Sequence, residues 1–292
     1  MKVVIAGGTG FVGKYVAEKF KKDGFEVSII SRQQNHINWT NKKAIATALE
    51  GAYLLINLAG KSVDCRYNQK NKNEILESRV NTTAILGNAI LQCHQPPMLW
   101  INASTATIYR HAEDRPMTET NGEIGTGFSV NVATKWEQAF FSYHLKNTRQ
   151  VALRLAIILG KDGGVVKPYA NLVKYGLGGV QGNGLQMFSW IHIEDVYRIF
   201  LFLATHENLT GVFNAAAPNP VSNYTLMATL RKLLHIPFGL PSPKWMLKIG
   251  AALIKTETEL VLKSRWVLPE RLLHENFEFT FNTIDKALQD VL

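Results

Sequence analysis

The stretch Gly7-Gly8-Thr9-Gly10-Phe11-Val12-Gly13, set directly behind the apolar run Val3-Val4-Ile5-Ala6, constrains this chain more than any other. A β-branched strand, a glycine-rich turn and a helix starting near Val12 make the first βα unit of a dinucleotide-binding fold. Gly7 suits the tight turn, Gly10 lets the backbone approach a pyrophosphate, and Gly13 lets helix and strand pack closely. The helix N-terminus then offers N–H groups and the positive end of its dipole to an anion. Thr9, Phe11 and Val12 are carried with the glycines as candidate cofactor contacts.

The second strand, Glu26-Val27-Ser28-Ile29-Ile30, ends at Ser31-Arg32. An enzyme using NAD places a carboxylate about twenty residues past the glycines to hold the ribose hydroxyls. Here that position lacks one. A guanidinium pairs bidentately with a 2′-phosphate that a carboxylate would repel, and a serine adds a hydroxyl, so Ser31 and Arg32 predict NADP(H) over NAD(H).

A chain of 292 residues with 46% hydrophobic content is long enough for a full α/β domain and a smaller appendage. It is expected to be globular and cytoplasmic, without signal or transit peptide. Cys65 and Cys93 show neither metal spacing nor a disulfide framework. The most apolar late stretch, Leu247 to Leu262, is interrupted by Lys248, Lys255, Glu257 and Glu259, so no membrane span is expected. The net charge of +9 is spread over separated lysines such as Lys14, Lys42, Lys70 and Lys248, which argues against nucleic acid.

Strand-like runs recur at Val3–Ala6, Val27–Ile30, Tyr53–Leu58, Leu99–Asn102 and Val151–Leu159, with helical patterns such as Glu74–Leu91 between them. This alternation predicts the α/β class: a doubly wound parallel sheet of Rossmann type, with a small C-terminal domain on the substrate side. The expected division is residues 1–215 for the dinucleotide-binding domain, with 161–190 reaching the substrate side, and 238–292 for the smaller domain. An amphipathic helix is expected at Ile284–Leu292.

The glycine spacing, Asn57-Leu58-Ala59-Gly60 and Trp190-Ile191-His192-Ile193-Glu194-Asp195-Val196 resemble the short-chain dehydrogenase/reductase superfamily, in its extended or atypical branch. Ser78-Arg79, Thr134-Lys135-Trp136-Glu137, Gly176-Leu177-Gly178-Gly179 and Pro269-Glu270-Arg271-Leu272 through Phe277-Glu278-Phe279 are similar to its "epimerase family protein" subgroup, short-chain dehydrogenase/reductase family 39-like, with a C-terminal domain of unknown function. The resemblance covers essentially the whole chain. It implies that Leu58, Ala59 and Gly60 lie beside the adenine, and that Glu74 and Arg79 line the cofactor cleft, with Arg79 reaching the cofactor.

Catalytic relatives join a Ser or Thr to a Tyr-x-x-x-Lys pair, in which the tyrosine exchanges a proton and the lysine lowers its pKa. The resemblance carries the hydroxyl role onto Thr105 and the lysine role onto Lys135, which places Asn131 where the tyrosine would stand. An amide neither gives nor takes a proton near neutral pH. Tyr109 leads the substitute donors, against an alternative in which it packs in the pocket wall; Cys65, Arg66 and His192 follow. Tyr15 and Lys19 also spell the pair, but in the first helix, where such spacing is common on solvated faces.

Two functions stay open. The first is an NADPH-dependent oxidoreductase acting on a small carbonyl or hydroxyl compound. A nucleotide sugar is disfavoured, because Gln186-Met187-Phe188-Ser189 stands where relatives bring an arginine to the diphosphate. The second is an NADPH-binding sensor that acts through a protein partner. The chain is expected to be a monomer or a homodimer, pairing through helices at Glu74–Leu91 and Thr134–Leu145.

Overall fold

The structure, a computed structural model, describes residues 1–243, 245 and 259–292. Its centre is a parallel sheet of seven strands: β1 (Lys2–Ala6), β2 (Glu26–Ser31), β3 (Ile37–Asn38), β4 (Leu54–Asn57), β5 (Leu99–Thr105), β6 (Arg149–Leu155) and β11 (Gly211–Ala215). They lie in the order β11-β6-β5-β4-β1-β2-β3. The order reverses between β1 and β4, and in open α/β sheets a ligand binds in the crevice at such a switch point. Gly7 to Gly13 follow β1, and Leu58 to Gly60 follow β4, so both candidate motifs meet at that crevice.

Side-chain alternation in the strands builds a core on each face of the sheet. Val3 and Ile5 turn to the face that buries Val16 and Phe20 of α1 (Phe11–Lys22) with Val196 and Phe200 of α6 (Ile193–Thr205). Val4 and Ala6 turn to the other, where Ile45 of α2 (Lys42–Leu49), Leu86 of α3 (Gln69–Ile90) and Phe140 of α4 (Phe128–Phe141) pack around Trp100. Each fully buried aliphatic or aromatic side chain contributes roughly 1.5–3 kcal/mol of transfer free energy.

The run expected as one strand over Val151–Leu159 is two. β6 stops at Leu155, and β7 (Ile157–Gly160) leaves for a second sheet, pairing with β10 (Trp190–His192) and with β8 (Gly163–Gly164). Both halves are buried in part or in full, so hydropathy carries no mark of the break. After α5 (Val166–Lys174), β9 (Met187–Phe188) pairs with β12 (Val221–Ser222), which leads into α7 (Asn223–Leu233).

Of the C-terminal region, α8 (Glu259–Leu262), α9 (Glu270–His274) and α10 (Ile284–Val291) are described. Val267, Leu272 and Phe277 enter the main core, and Ile284, Leu288 and Val291 pack with Leu226, Met227 and Leu230 of α7. Most of the stretch 247–262 read as too charged to span a membrane, with Lys248, Lys255 and Glu257, lies outside the described residues. No described helix is long and apolar enough to cross a membrane.

Candidate cofactor and active site

One cavity of about 330 Å³ lies over the C-terminal edge of the sheet. Gly7, Gly10, Phe11, Val12 and Gly13 line one end of it; Thr105, Thr107 and Ser129 line it further on. The residues at the glycine end fit a dinucleotide. Gly7 sits at φ +80, and a Cβ there would stand 2.8 Å from Ala59 N and Leu58 C. At Gly13 a Cβ would come within 2.4 Å of Gly7 O, which is what close packing of helix on strand demands. Gly10 differs: a Cβ there meets only Gly7 O, at 3.5 Å. The protein's own packing leaves room for a side chain at Gly10, and the space a side chain would fill belongs to the cavity. Gly10 is also the N-cap of α1 and supplies no side-chain cap, so the first-turn N–H groups of that helix remain for an anion.

Several other predicted cofactor residues stand apart from this cavity. Leu58 and Arg79 line it, whereas Thr9 faces a neighbouring depression beside Lys14 and His192. Ser31 is buried at the end of β2, where its Oγ accepts from Gln33 N at 3.0 Å, and Arg32 is exposed next to it. Ala59 N donates to Asn57 Oδ1 at 3.1 Å. Gly60 lies against the Arg79 guanidinium, 3.1 Å from a Cβ built on it. Glu74 turns away to pair with Lys61.

Arg79 is fixed by two carbonyls, Lys61 O at 3.1 Å and Ile75 O at 2.9 Å, and lies over the Trp136 ring at 5.1 Å. Burial pushes its guanidinium down to about 10, which still leaves it charged at neutral pH. Among the described residues lining the cavity, Arg79 carries the one charged side chain. Trp136 is held in turn: its Nε1 donates to Thr83 Oγ1 at 3.0 Å, beside the buried pair of Asn57 and Asn102 at 2.7 Å.

Lys135, Asn131 and Tyr109 are not among the residues that line the cavity. Asn131 and Lys135 are both exposed positions of α4. The side facing the cavity carries Ser129, Val132, Ala133 and Trp136. Helical spacing preserves a four-residue pair in any phase, so the string alone could not say which pair faces inward. In the phase that does, Ser129 and Ala133 stand one turn apart, with neither a phenol nor an amine between them. Thr105 lines the cavity; its Oγ1 accepts from Thr107 N at 3.1 Å and caps the turn that ends β5.

Tyr109 does not reach the cavity. Its side chain is 1% exposed, its hydroxyl donates to Asn214 Oδ1 at 2.9 Å, and Arg154 Nη1 donates to it at 2.8 Å. Burial raises its pKa against the opposing pull of Arg154, so it stays a phenol. The network continues to the cavity wall by another member. Arg154 grips both oxygens of Glu137 at 2.8 Å, and Ser104, which lines the cavity, donates to Glu137 Oε1 at 2.6 Å. Ser104 and Tyr67, which also lines the cavity and packs edge-on against Phe128, were missed; Glu137 was visible only as part of the Trp136-Glu137 string. Cys65 and Arg66 lie in the loop before α3, outside the lining. Tyr15 and Lys19 both bind Glu194 of α6.

His192 caps α6, its Nδ1 accepting from Glu194 N at 3.2 Å. Asp195 receives Thr280 N at 2.8 Å and Phe281 N at 2.9 Å, which ties the C-terminal tail to that helix. Both residues of this late motif are occupied in holding elements together.

Residues 3–216 match the NAD dependent epimerase/dehydratase family. The chain belongs to that family. Residues 242–291 match a domain of unknown function, DUF1731; the epimerase/dehydratase match ends one residue past β11, and the second match takes in the described C-terminal helices. Over its whole length the chain is 31% identical to the epimerase family protein SDR39U1 of Mus musculus, covering all of that protein. It is 29% identical to epimerase family protein YfhF of Bacillus subtilis, covering 98% of it. The crystal structure of human SDR39U1, isoform 2, with NADPH superposes with a TM-score of 0.90 at 29% identity, covering 100% of this chain and 99% of that one. Membership in the epimerase/dehydratase family accounts for the glycine loop and the parallel sheet.

Proposed function

We propose that this protein binds NADP(H) and transfers hydride between it and a small carbonyl or hydroxyl compound other than a nucleotide sugar. The observation that carries the reading is one continuous cavity, lined at one end by the glycine loop and further on by Thr105. Gly7, Gly10, Phe11, Val12 and Gly13 would hold the pyrophosphate, and Arg32 at the end of β2 the 2′-phosphate. The solved human relative is bound to NADPH, in agreement with that choice. The cofactor supplies a hydride at its nicotinamide. Thr105 would hold the substrate oxygen, and Ser104, whose hydroxyl donates to Glu137, would offer its lone pairs to a donor in the cavity. Trp136, Phe128 and Val132 exclude water from that end.

The stretch Gln186 to Ser189 supports a substrate without a diphosphate. Gln186 Nε2 donates to Gln181 O at 2.8 Å, and Ser189 Oγ to Arg265 O at 2.7 Å, so both polar side chains are buried and turned into the protein.

A second reading, an NADPH sensor acting through a protein partner, draws on Ser129 and Ala133, which put no proton donor on the cavity face of α4. Comparative titration with NADPH and NADH tests the shared part of both readings. NADPH should bind more tightly, and Arg32→Asp should remove the preference at a cost of about 1.5–3 kcal/mol, on the order of tenfold to a hundredfold in NADPH affinity. Equal losses for the two nucleotides would overturn the assignment of Arg32.

A further inference from the structure

The cavity-facing side of α4 lacks an acid, yet a buried amine of the C-terminal region bonds the backbone of a residue in the cavity wall. Lys263 follows α8, and its side chain is 9% exposed. Its Nζ donates to Thr107 O at 2.7 Å, and Thr107 lines the cavity two residues beyond Thr105. Glu259 Oε1 lies 3.9 Å away, too far for a hydrogen bond. An ammonium carries more donors than Thr107 O can take, and among the described residues Lys263 has no second acceptor. Glu259 is engaged elsewhere, because its Oε2 accepts from Ser129 Oγ at 3.1 Å. Ser129, Glu259, Lys263 and Thr107 therefore form one polar cluster, of which Ser129 and Thr107 line the cavity beyond Thr105.

We propose that Lys263 is the proton donor of the reaction, taking from the C-terminal region the part that a tyrosine on the α4 helix plays in relatives. The inference rests on the oxidoreductase reading above. In the reducing direction, hydride adds to the carbonyl carbon and the π pair moves to oxygen. That oxygen takes a proton from Lys263 Nζ, leaving a neutral amine that regains its proton from water. The nicotinamide is oxidised and the carbonyl reduced to an alcohol, so charge and atoms balance. The environment of Lys263 suits the task. Burial pushes its ammonium down to about 8, Arg265 pushes the same way and Glu259 opposes them. An acid that titrates near the working pH serves proton transfer better than an ordinary lysine.

The test uses the full chain with Lys263→Met and Lys263→Arg, and NADPH with benzaldehyde, acetophenone and cyclohexanone as probes. The wild type should reduce at least one of them, with kcat/KM falling as pH rises past about 8. Lys263→Met should keep its NADPH affinity, lose on the order of a hundredfold in rate and lose the pH break. Lys263→Arg should also lose the break, because its guanidinium does not deprotonate in this range. A Lys263→Met variant that keeps both rate and break overturns the proposal and leaves the oxidoreductase reading standing, with Tyr67→Phe then the variant to assay. Wild type that binds NADPH but reduces no probe overturns the oxidoreductase reading and this proposal with it. A readout without substrate is the ¹³C signal of reductively methylated Lys263, assigned by its loss in Lys263→Met. Titration well above pH 10 in the NADPH complex also overturns the proposal.

Discussion

Ser129 on α4 donates to Glu259 on α8 at 3.1 Å, joining the helix that walls the cofactor cavity to the C-terminal region. The two residues are 130 positions apart in the chain, and each belongs to a different family match. The C-terminal region is thus tied to the wall of a cavity whose other end is built by the glycine loop.

Helix phase gives the sharpest mutational contrast. Asn131→Tyr and Lys135→Ala alter exposed positions, so NADPH affinity and melting temperature should shift by no more than about 0.5 kcal/mol, roughly twofold in affinity. Ser129→Tyr combined with Ala133→Lys places a phenol and an amine on the cavity face, and should change carbonyl reduction by tenfold or more, on the order of 1.4 kcal/mol. Steady-state kinetics on both sets checks this; an Asn131→Tyr effect as large as the double variant's would contradict the phase.

The same substitution at two glycines should separate folding from binding. Gly13→Ala drives a Cβ into Gly7 O and Gly8 Cα, at 2.4 and 2.6 Å, and backbone cannot step aside as a side chain can. Its cost should be about 1–3 kcal/mol, seen in thermal melting. Gly10→Ala meets nothing nearer than 3.5 Å, so the melt should hold while NADPH affinity drops on the order of tenfold. A Gly10→Ala variant that melts early but binds normally would contradict the account of the cavity.

Acid should weaken the fold through His192. Burial lowers its pKa below the ordinary 6.5, opposed by Asp290, Asp195 and Glu194. Its Nε2 lies 3.2 Å from Asp290 Oδ2 without hydrogen-bond geometry, and Phe281 covers the ring at 3.7 Å. A lowered pKa means that the unfolded chain binds the proton more readily. The stability His192 contributes is complete above about pH 6.5 and is lost as pH falls from there through the folded value. His192→Asn, whose Oδ1 can keep the cap to Glu194 N, should flatten melting temperature between pH 7.5 and 5.5 relative to wild type. A wild-type melt that rises over that fall in pH would contradict the sign.

The fold was legible because its signals are local. Val3 to Ala6 followed by Gly7 to Gly13 names a strand, a turn and a helix within a short stretch, and the alternation of elements after it leads to a parallel sheet. The chemistry of the cavity was less so. Thr105 ends β5 and lines the cavity, and at a strand end position along the chain fixes direction. Lys135 and Asn131 fall outside the lining, and because a helix offers several faces and a four-residue spacing suits each of them, the string alone did not fix which pair lines the cavity. Tyr109 was placed near the mouth, but its hydroxyl is taken by Arg154 and Asn214, residues 45 and 105 positions away. Lys263 left no signal, since nothing in Lys263-Ser264-Arg265 points to Thr107 until the chain has folded.

The most direct measurement follows deuterium from NADPH labelled at nicotinamide C4 while the protein is incubated with benzaldehyde, acetophenone and cyclohexanone. The account predicts that label appears on the carbinol carbon of at least one product, with wild type and not with Thr105→Val. Tight NADPH binding with no transfer of label to any of them would contradict it, and would leave the cofactor as a ligand that is sensed.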